Sequence, residues 1–98
     1  MKILDQILAL FKPKQKGVFQ VSSTFHLKGI GVVVVGKVQS GVLRPKMKMK
    51  KSDGKTCTVH TIEKKHQSVD QAASGDEVNL QISDLFEGDF ESKEKLTF

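Results

Sequence analysis

Residues 32 to 35 are four consecutive valines set between Gly31 and Gly36, within the stretch "GIGVVVVGKVQSG" from 29 to 41. Each valine is branched at Cβ and stiff at χ1, so the run favours an extended backbone. The same stretch nearly spells the phosphate-binding pattern G-x-x-x-x-G-K-[ST] through Gly31, Gly36 and Lys37. That pattern needs a tight loop whose N–H groups curl round a phosphate, and a hydroxyl that reaches Mg²⁺. Val38 holds the hydroxyl position, and "KVQSGVLRP" offers no apolar period for a following helix. The G-x-G at Gly29 and Gly31 also lacks its third glycine, because position 34 is valine. The expectation is a buried strand punctuated by glycines at turns or bulges.

That strand belongs to a series. In "VFQVSSTFHLK", Phe19, Val21, Phe25 and Leu27 share one parity and Gln20, Ser22, Thr24, His26 and Lys28 the other. This predicts a half-buried strand with Phe19 and Phe25 both committed to the core. Turns at Lys28 to Gly31 and around Ser40 and Gly41 bracket the valine strand. Arg44 and Pro45 lead into "KMKMK", where Met47 and Met49 face one side and Lys46, Lys48 and Lys50 the other. Ser52, Asp53 and Gly54 form a hairpin signal with "KTCTVHTIE" as the return strand. "HQSVDQAASGDEVNLQISDLF" reads as a loop and then a strand through Val78, Leu80 and Ile82, and "EGDF" as a turn before a short terminal strand. Short strands recurring at roughly 8 to 12 residues with a turn between each pair predict an all-β fold, a small closed antiparallel β-barrel.

Before the barrel the period is helical. "MKILDQILALF" places Leu4, Ile7, Leu8 and Phe11 on one stripe, widened by Ile3 and Leu10, with Asp5 and Gln6 off it. The helix is expected to stop before Pro13, and "KPKQKG" to serve as a basic linker. Residues 1 to 16 are therefore read as amphipathic helix and linker, and 17 to 98 as the barrel. A helix this short is marginal alone, so its apolar face is expected to dock on the barrel, on a second copy, on another protein or on an anionic membrane surface.

Composition narrows the function. A chain of 98 residues has room for one modest core. Cys57 is a lone cysteine, which excludes an intramolecular disulfide and suggests a buried, inert thiol in a reducing cytoplasm. No apolar run approaches the roughly 18 to 20 residues that cross a bilayer, so no transmembrane segment is expected. His26, His60 and His66 have neither ligand spacing nor a neighbouring nucleophile motif, and Asp76 and Glu77 sit in a glycine turn. No catalytic residue, metal or cofactor is expected, and the chain is not read as an enzyme. The net charge of +5 hides an asymmetry, +11 over residues 1 to 65 against −6 over 66 to 98. Lys46, Lys48 and Lys50 repeat about 7 Å apart along one strand face, close to the step between phosphates of an extended single strand. With Lys37, Arg44 and Lys51 they form the candidate RNA-binding set.

The order of these signals is specific enough to name a resemblance. "FQVSSTFHLKGIGVVVVGKVQSGVLRP", "TVHTIEKKHQSVDQAASGDEVNL" and "FEGDF", covering residues 18 to about 91, resemble the second domain of elongation factor Tu and related translational GTPases. The first carries Gly31, Val33, Gly36, Val38 and Gly41; the second Ile62, Glu63, Asp70, Ala72 or Ala73, Gly75, Asp76 and Val78; the third Gly88 and Asp89. The resemblance implies a closed antiparallel barrel. The family usually has glycine at the positions of Lys46 and Asn79 and near Ser83, so the barrel is expected to turn differently there. The resemblance also implies a pocket for the aminoacyl end of transfer RNA in the segments matching Ile62 to His66 and Gly75 to Val78. Glu63 matches the family's acidic residue, Lys65 replaces an aromatic residue and Glu77 an amide, with His66 completing the segment. These exchanges remove a stacking face and add a negative charge, which disfavours that ligand. The GTPase domain that precedes this barrel in translation factors is not among the 98 residues, so no GTP binding by this chain is expected. Two readings follow: a non-catalytic binding module for RNA or a ribonucleoprotein, or an interaction module that uses Leu4, Ile7, Leu8 and Phe11 for partner docking, self-association or a membrane surface.

Overall fold

The computed structural model describes residues 17–98; the helix expected at residues 3 to 11 and its linker lie outside the described residues. The described chain forms nine strands: β1 (Val18–Leu27), β2 (Gly31–Ser40), β3 (Val42–Leu43), β4 (Lys48–Lys50), β5 (Thr56–Lys64), β6 (Gln67–Val69), β7 (Ala72–Ala73), β8 (Glu77–Ser83) and β9 (Lys95–Thr97). Six of them run β4-β9-β1-β2-β8-β5 and close through a β4–β5 pairing, every neighbour antiparallel. This is the closed barrel expected from the turn spacing. β6 extends the sheet beyond β5, and β3 pairs with β7. β6 and β7 fall in the segment read as a loop, where three and two residues are too few for alternation to register.

The core is built from one parity of each long strand. Val32, Val34 and Val38 of β2 meet Phe19 and Val21 of β1, Met49 of β4, Cys57, Val59 and Ile62 of β5, Val78, Leu80 and Ile82 of β8, and Leu96 of β9. The valine run is thus two inward residues and two outward ones. Gly36 lies on β2 where β1 crosses closely: a Cβ there would fall on the Gln20 carbonyl oxygen and 2.7 Å from the Phe19 ring. That close approach, rather than a turn, is what the second glycine of the motif serves.

The one departure with functional weight is in β1. The β1–β2 register shifts between Val21 and Ser23, so Val21 pairs with Gly36 and Ser23 with Val35. An extra residue in one strand reverses the parity of everything beyond it. Phe19 and Val21 point into the barrel, whereas Phe25 and Leu27, paired with Val33 and Gly31, lie on the outside. The expectation that Phe25 belongs to the core is therefore wrong, and Leu27 is 39% exposed. A second bulge lies between Val59 and Thr61 of β5.

Two turns take the left-handed conformation without glycine. Lys46 (φ 75°) and Asp84 (φ 78°) occupy the left-handed region, which glycine enters without strain and other residues do not. At Lys46, and at Asp84 beside Ser83, a residue with a Cβ is held in the conformation that glycine favours. The "EGDF" segment contains a 3₁₀ turn at Glu87–Asp89.

Candidate nucleic-acid interface and outer groove

Closing the barrel decides which basic residues share a face. Lys48 and Lys50 are exposed on β4 and Lys46 on the turn before it, while the intervening Met49 is buried. Lys37 is exposed on β2, three strands away in a ring of six, and so lies across the barrel from β4. It lines a separate hollow with Gln20, Ser22, Gly36, Glu77 and Lys93. Arg44 hydrogen-bonds through its guanidinium to the Gln71 side-chain oxygen at 3.3 Å. Lys37 and Lys51 therefore stand apart from Lys48 and Lys50, which share the outward face of β4, with Lys46 exposed on the turn before it.

Lys51 leaves the set altogether. It is 7% exposed, with Nζ 3.2 Å from Asp53 and 3.4 Å from Glu94, and 5.7 Å from the centre of the Phe90 ring. Burial acts to lower its pKa, but the Asp53 hydrogen bond and the Glu94 carboxylate outweigh it, and the ammonium is held above its ordinary value. The signal was in the alternation: Met47, Met49 and Lys51 share the inward parity.

Three of the four ion pairs among the described residues join the acidic segment after residue 65 to the basic segment before it. Asp53 and Glu94 take Lys51, Asp89 takes Lys55 at 3.2 Å, and Asp76 takes Lys64 at 2.8 Å. None of the ion pairs among the described residues involves Lys46, Lys48 or Lys50. Asp53, Asp76 and Asp89 also accept hydrogen bonds from the backbone N–H groups of Lys55, Ala73 and Phe86. Those N–H groups, together with the paired lysines, hold all three carboxyls below the ordinary carboxylate range.

The outward residues of β1, β2, β8 and β5 form a second surface. Phe25, Val33, Gln81 and Thr61 make one row across four strands. Ser23, Val35, Asn79 and Glu63 make the next. Phe25, Leu27, Ile30 and Val33 wall a hollow of about 140 Å³ with Thr61, Glu63, Asn79 and Gln81. Gln81 is fixed there by donating from Nε2 to the Ile30 carbonyl at 2.8 Å, and the Thr61 hydroxyl donates to its Oε1 at 3.3 Å. Val33 is only 6% exposed although it lies outside the core cluster, because the residues around it cover it. Of the pocket residues implied by resemblance, Glu63 lies in this groove. Lys65 and Glu77 line a neighbouring shallow hollow with Lys64, Gly75 and Asp76, and Lys65 and His66 make the β5–β6 turn. Phe25, which the parity reading had placed in the core, is the aromatic residue of this groove.

Among the described residues, no cluster of His, Cys, Asp and Glu is arranged to hold a metal ion, and no helix is long and apolar enough to cross a membrane.

Comparison with known proteins places this geometry in a lineage. Residues 17–90 match the family model described as elongation factor Tu domain 4. The motifs had pointed to the barrel numbered second, so the family agrees and the domain number differs. Elongation factor 1-alpha of Nanoarchaeum equitans is 31% identical over 88% of this chain and 22% of its own length. That of Sulfolobus acidocaldarius is 32% identical over 83% of this chain and 19% of its own. The chain thus spans about a fifth of the length of the curated relatives it matches. Among solved structures, the apo form of translation elongation factor SelB from Methanococcus maripaludis superposes with a TM-score of 0.77 at 21% identity, over 98% of this chain and 22% of that one. This last likeness is one of fold.

Proposed function

We propose, from the premise that this chain belongs to the elongation factor Tu domain 4 family, that it is a non-catalytic binding module for RNA, engaging the phosphate backbone through Lys46, Lys48 and Lys50. The observation that carries this reading is the contrast among the lysines. Lys51, Lys55 and Lys64 are matched to carboxylates, whereas the ion pairs of the described chain leave out the strip on and before β4. Three solvated ammonium groups on one face, spaced like phosphates, attract a polyanion without reading its sequence. Lys95 is exposed on the adjacent β9 and enlarges the same field.

Phosphate contacts release condensed counterions, and for single strands each contributes about −0.7 to the slope of log K against log salt. Three contacts therefore give a slope of about −2. Fluorescence anisotropy of a labelled single-stranded RNA, titrated at several salt concentrations, reads this slope directly. Charge reversal at all three lysines should abolish the association. RNA binding that is indifferent to salt, or a triple variant that binds as well as the parent, would remove this function from the strip.

A further inference from the structure

Gln20 stands at the centre of a second basic group, on the wall formed by β9, β1 and β2. It pairs with Lys95 of β9 on one side and with Lys37 of β2 on the other, and its side chain donates from Nε2 to the Lys93 carbonyl at 3.4 Å. Phe19, Val21, Gly36, Val38 and Leu96 beside them are buried, so alternation turns Gln20, Lys37 and Lys95 outwards. Lys37, Lys93 and Lys95 are exposed, and none of the ion pairs among the described residues includes them. We infer that these three lysines form a binding site for a compact, multiply charged oxyanion of the pyrophosphate class, held over Gln20.

The spacing decides the class of ligand. Neighbouring strands lie about 4.8 Å apart, so Lys37 and Lys95 stand about 10 Å apart with Gln20 between them, and their flexible stems bring both ammonium groups over the amide. That amide is fixed from below, because Gln39 donates to its Oε1 at 2.7 Å. Lys46, Lys48 and Lys50 instead follow one another along a chain and suit charges strung out one per phosphate. Converging cations suit charges gathered on one small group. The hollow beside them, of about 420 Å³, is lined by Gln20, Lys37 and Lys93 and by one carboxylate, Glu77, which pairs with Lys37 on the side away from Gln20. Glu94, between Lys93 and Lys95, does not compete: its carboxylate is taken by Lys51 at 3.4 Å and by the Glu91 N–H at 3.0 Å. Three lysines against Glu77 leave a net positive charge that a single phosphodiester does not match. No aromatic residue lines the hollow, so a base finds no stacking face and the phosphates carry the recognition.

Lys93 holds its place against its own backbone preference. Its φ of 67° lies in the left-handed region, which glycine enters without strain and lysine does not. The turn is imposed by its neighbours: the Lys93 N–H donates to the Val21 carbonyl at 2.8 Å, and the Glu94 N–H to the Glu91 carbonyl at 3.1 Å. Strain of this kind persists only where the surrounding structure enforces it, and it gathers at binding sites. Here it sets an ammonium group beside Lys37 at a position where glycine would suit the backbone better.

Titration of the full chain with inorganic pyrophosphate at constant ionic strength, followed through its amide signals by heteronuclear NMR, tests the site. The signals of Gln20, Lys37, Lys93 and Lys95 should shift together and saturate. Lys37→Gln with Lys93→Gly removes two of the three cations at exposed positions and relieves the left-handed turn, so the fold is kept. At up to about fivefold for each exposed charge contact, this variant should bind about tenfold more weakly. Reversing the charges of Lys46, Lys48 and Lys50 should leave pyrophosphate binding unchanged. Shifts that never saturate and spread over every exposed lysine are general screening and overturn the inference. It is equally wrong if the Lys37→Gln, Lys93→Gly chain binds as tightly as the parent, or if charge reversal on β4 abolishes pyrophosphate binding. Adenosine diphosphate carries the same phosphates on a nucleoside and should bind no more tightly than pyrophosphate; markedly tighter binding would mean that a base is read, and the site would not be the one inferred. The RNA reading rests on β4 and is tested by a different variant, so it stands or falls separately.

Discussion

The β5–β6 turn offers a quantitative test of the backbone. β5 ends at Lys64, β6 begins at Gln67 and the two residues pair, so Lys65 and His66 form a two-residue loop. Both have positive φ, 50° and 67°, which is the type I′ arrangement that hairpins fill with Asn-Gly. Holding a residue with a Cβ in the left-handed region costs about 1 kcal/mol or more. Glycine at position 66 removes that cost but loses about 0.5–1 kcal/mol through the greater freedom of the unfolded chain. Asparagine at 65 tolerates the conformation and carries no such loss. Both side chains are exposed and neither is in an ion pair among the described residues, so little is given up in contacts. Lys65→Asn with His66→Gly should therefore stabilise the barrel by about 1 kcal/mol, which for a domain of this size raises the melting temperature by about 4–8 °C. Urea denaturation followed by circular dichroism should show a higher midpoint at unchanged slope. Lys65→Val, branched at Cβ, should move the midpoint the other way. A double variant no more stable than the parent would mean that the turn is not strained as described, and the reasoning from φ would fail with it.

Other consequences are as specific. Gly36→Ala should destabilise by about 3 kcal/mol, since its methyl would displace either the Gln20 carbonyl or the Phe19 ring; a wild-type midpoint in thermal denaturation would refute the close crossing. The depressed carboxyls of Asp53, Asp76 and Asp89 contribute stability that is present above their unfolded values near about 4 and lost as pH falls through the folded ones. An acid titration of the urea midpoint should fall below that range, and Asp76→Asn should flatten it. Burial pushes the Cys57 thiol up to about 11, so a chromogenic disulfide reagent at pH 8 should leave the native protein untouched and react once urea unfolds it.

The two bulges show where sequence reading works and where it stops. In β5 the inward residues Val59 and Ile62 are three apart, so the break in alternation at His60 is written in the residue types. In β1 the bulge is disguised. Phe25 and Leu27 continue the parity of Phe19 and Val21, because the residues beyond Ser22 are apolar on the outer face as well. Period two cannot distinguish a core row from an outer apolar row once an extra residue has been inserted. Lys51 was legible, since it lies in the Met47 and Met49 series; weight given to its charge rather than its position placed it on the surface. Lys37 was not legible, because its distance from β4 depends on strand order round the barrel, which no local pattern encodes. The left-handed Lys46 and Asp84 stand at or beside positions where the family's glycines were expected, so the departures in sequence marked the strained backbone.

The bulge at Ser22 has one more consequence. It acts as a frame boundary within a single strand: upstream, odd-numbered residues build the interior, and downstream they are what the molecule shows to others. Pairing Ser22 in register instead of bulging it would exchange the faces of Phe25 and Leu27 with those of Thr24 and His26, turning the two apolar side chains inwards and the polar pair outwards without changing any residue type. What such a barrel displays along β1 therefore hangs on whether one residue is paired or bulged, while its six-strand ring stays as it was.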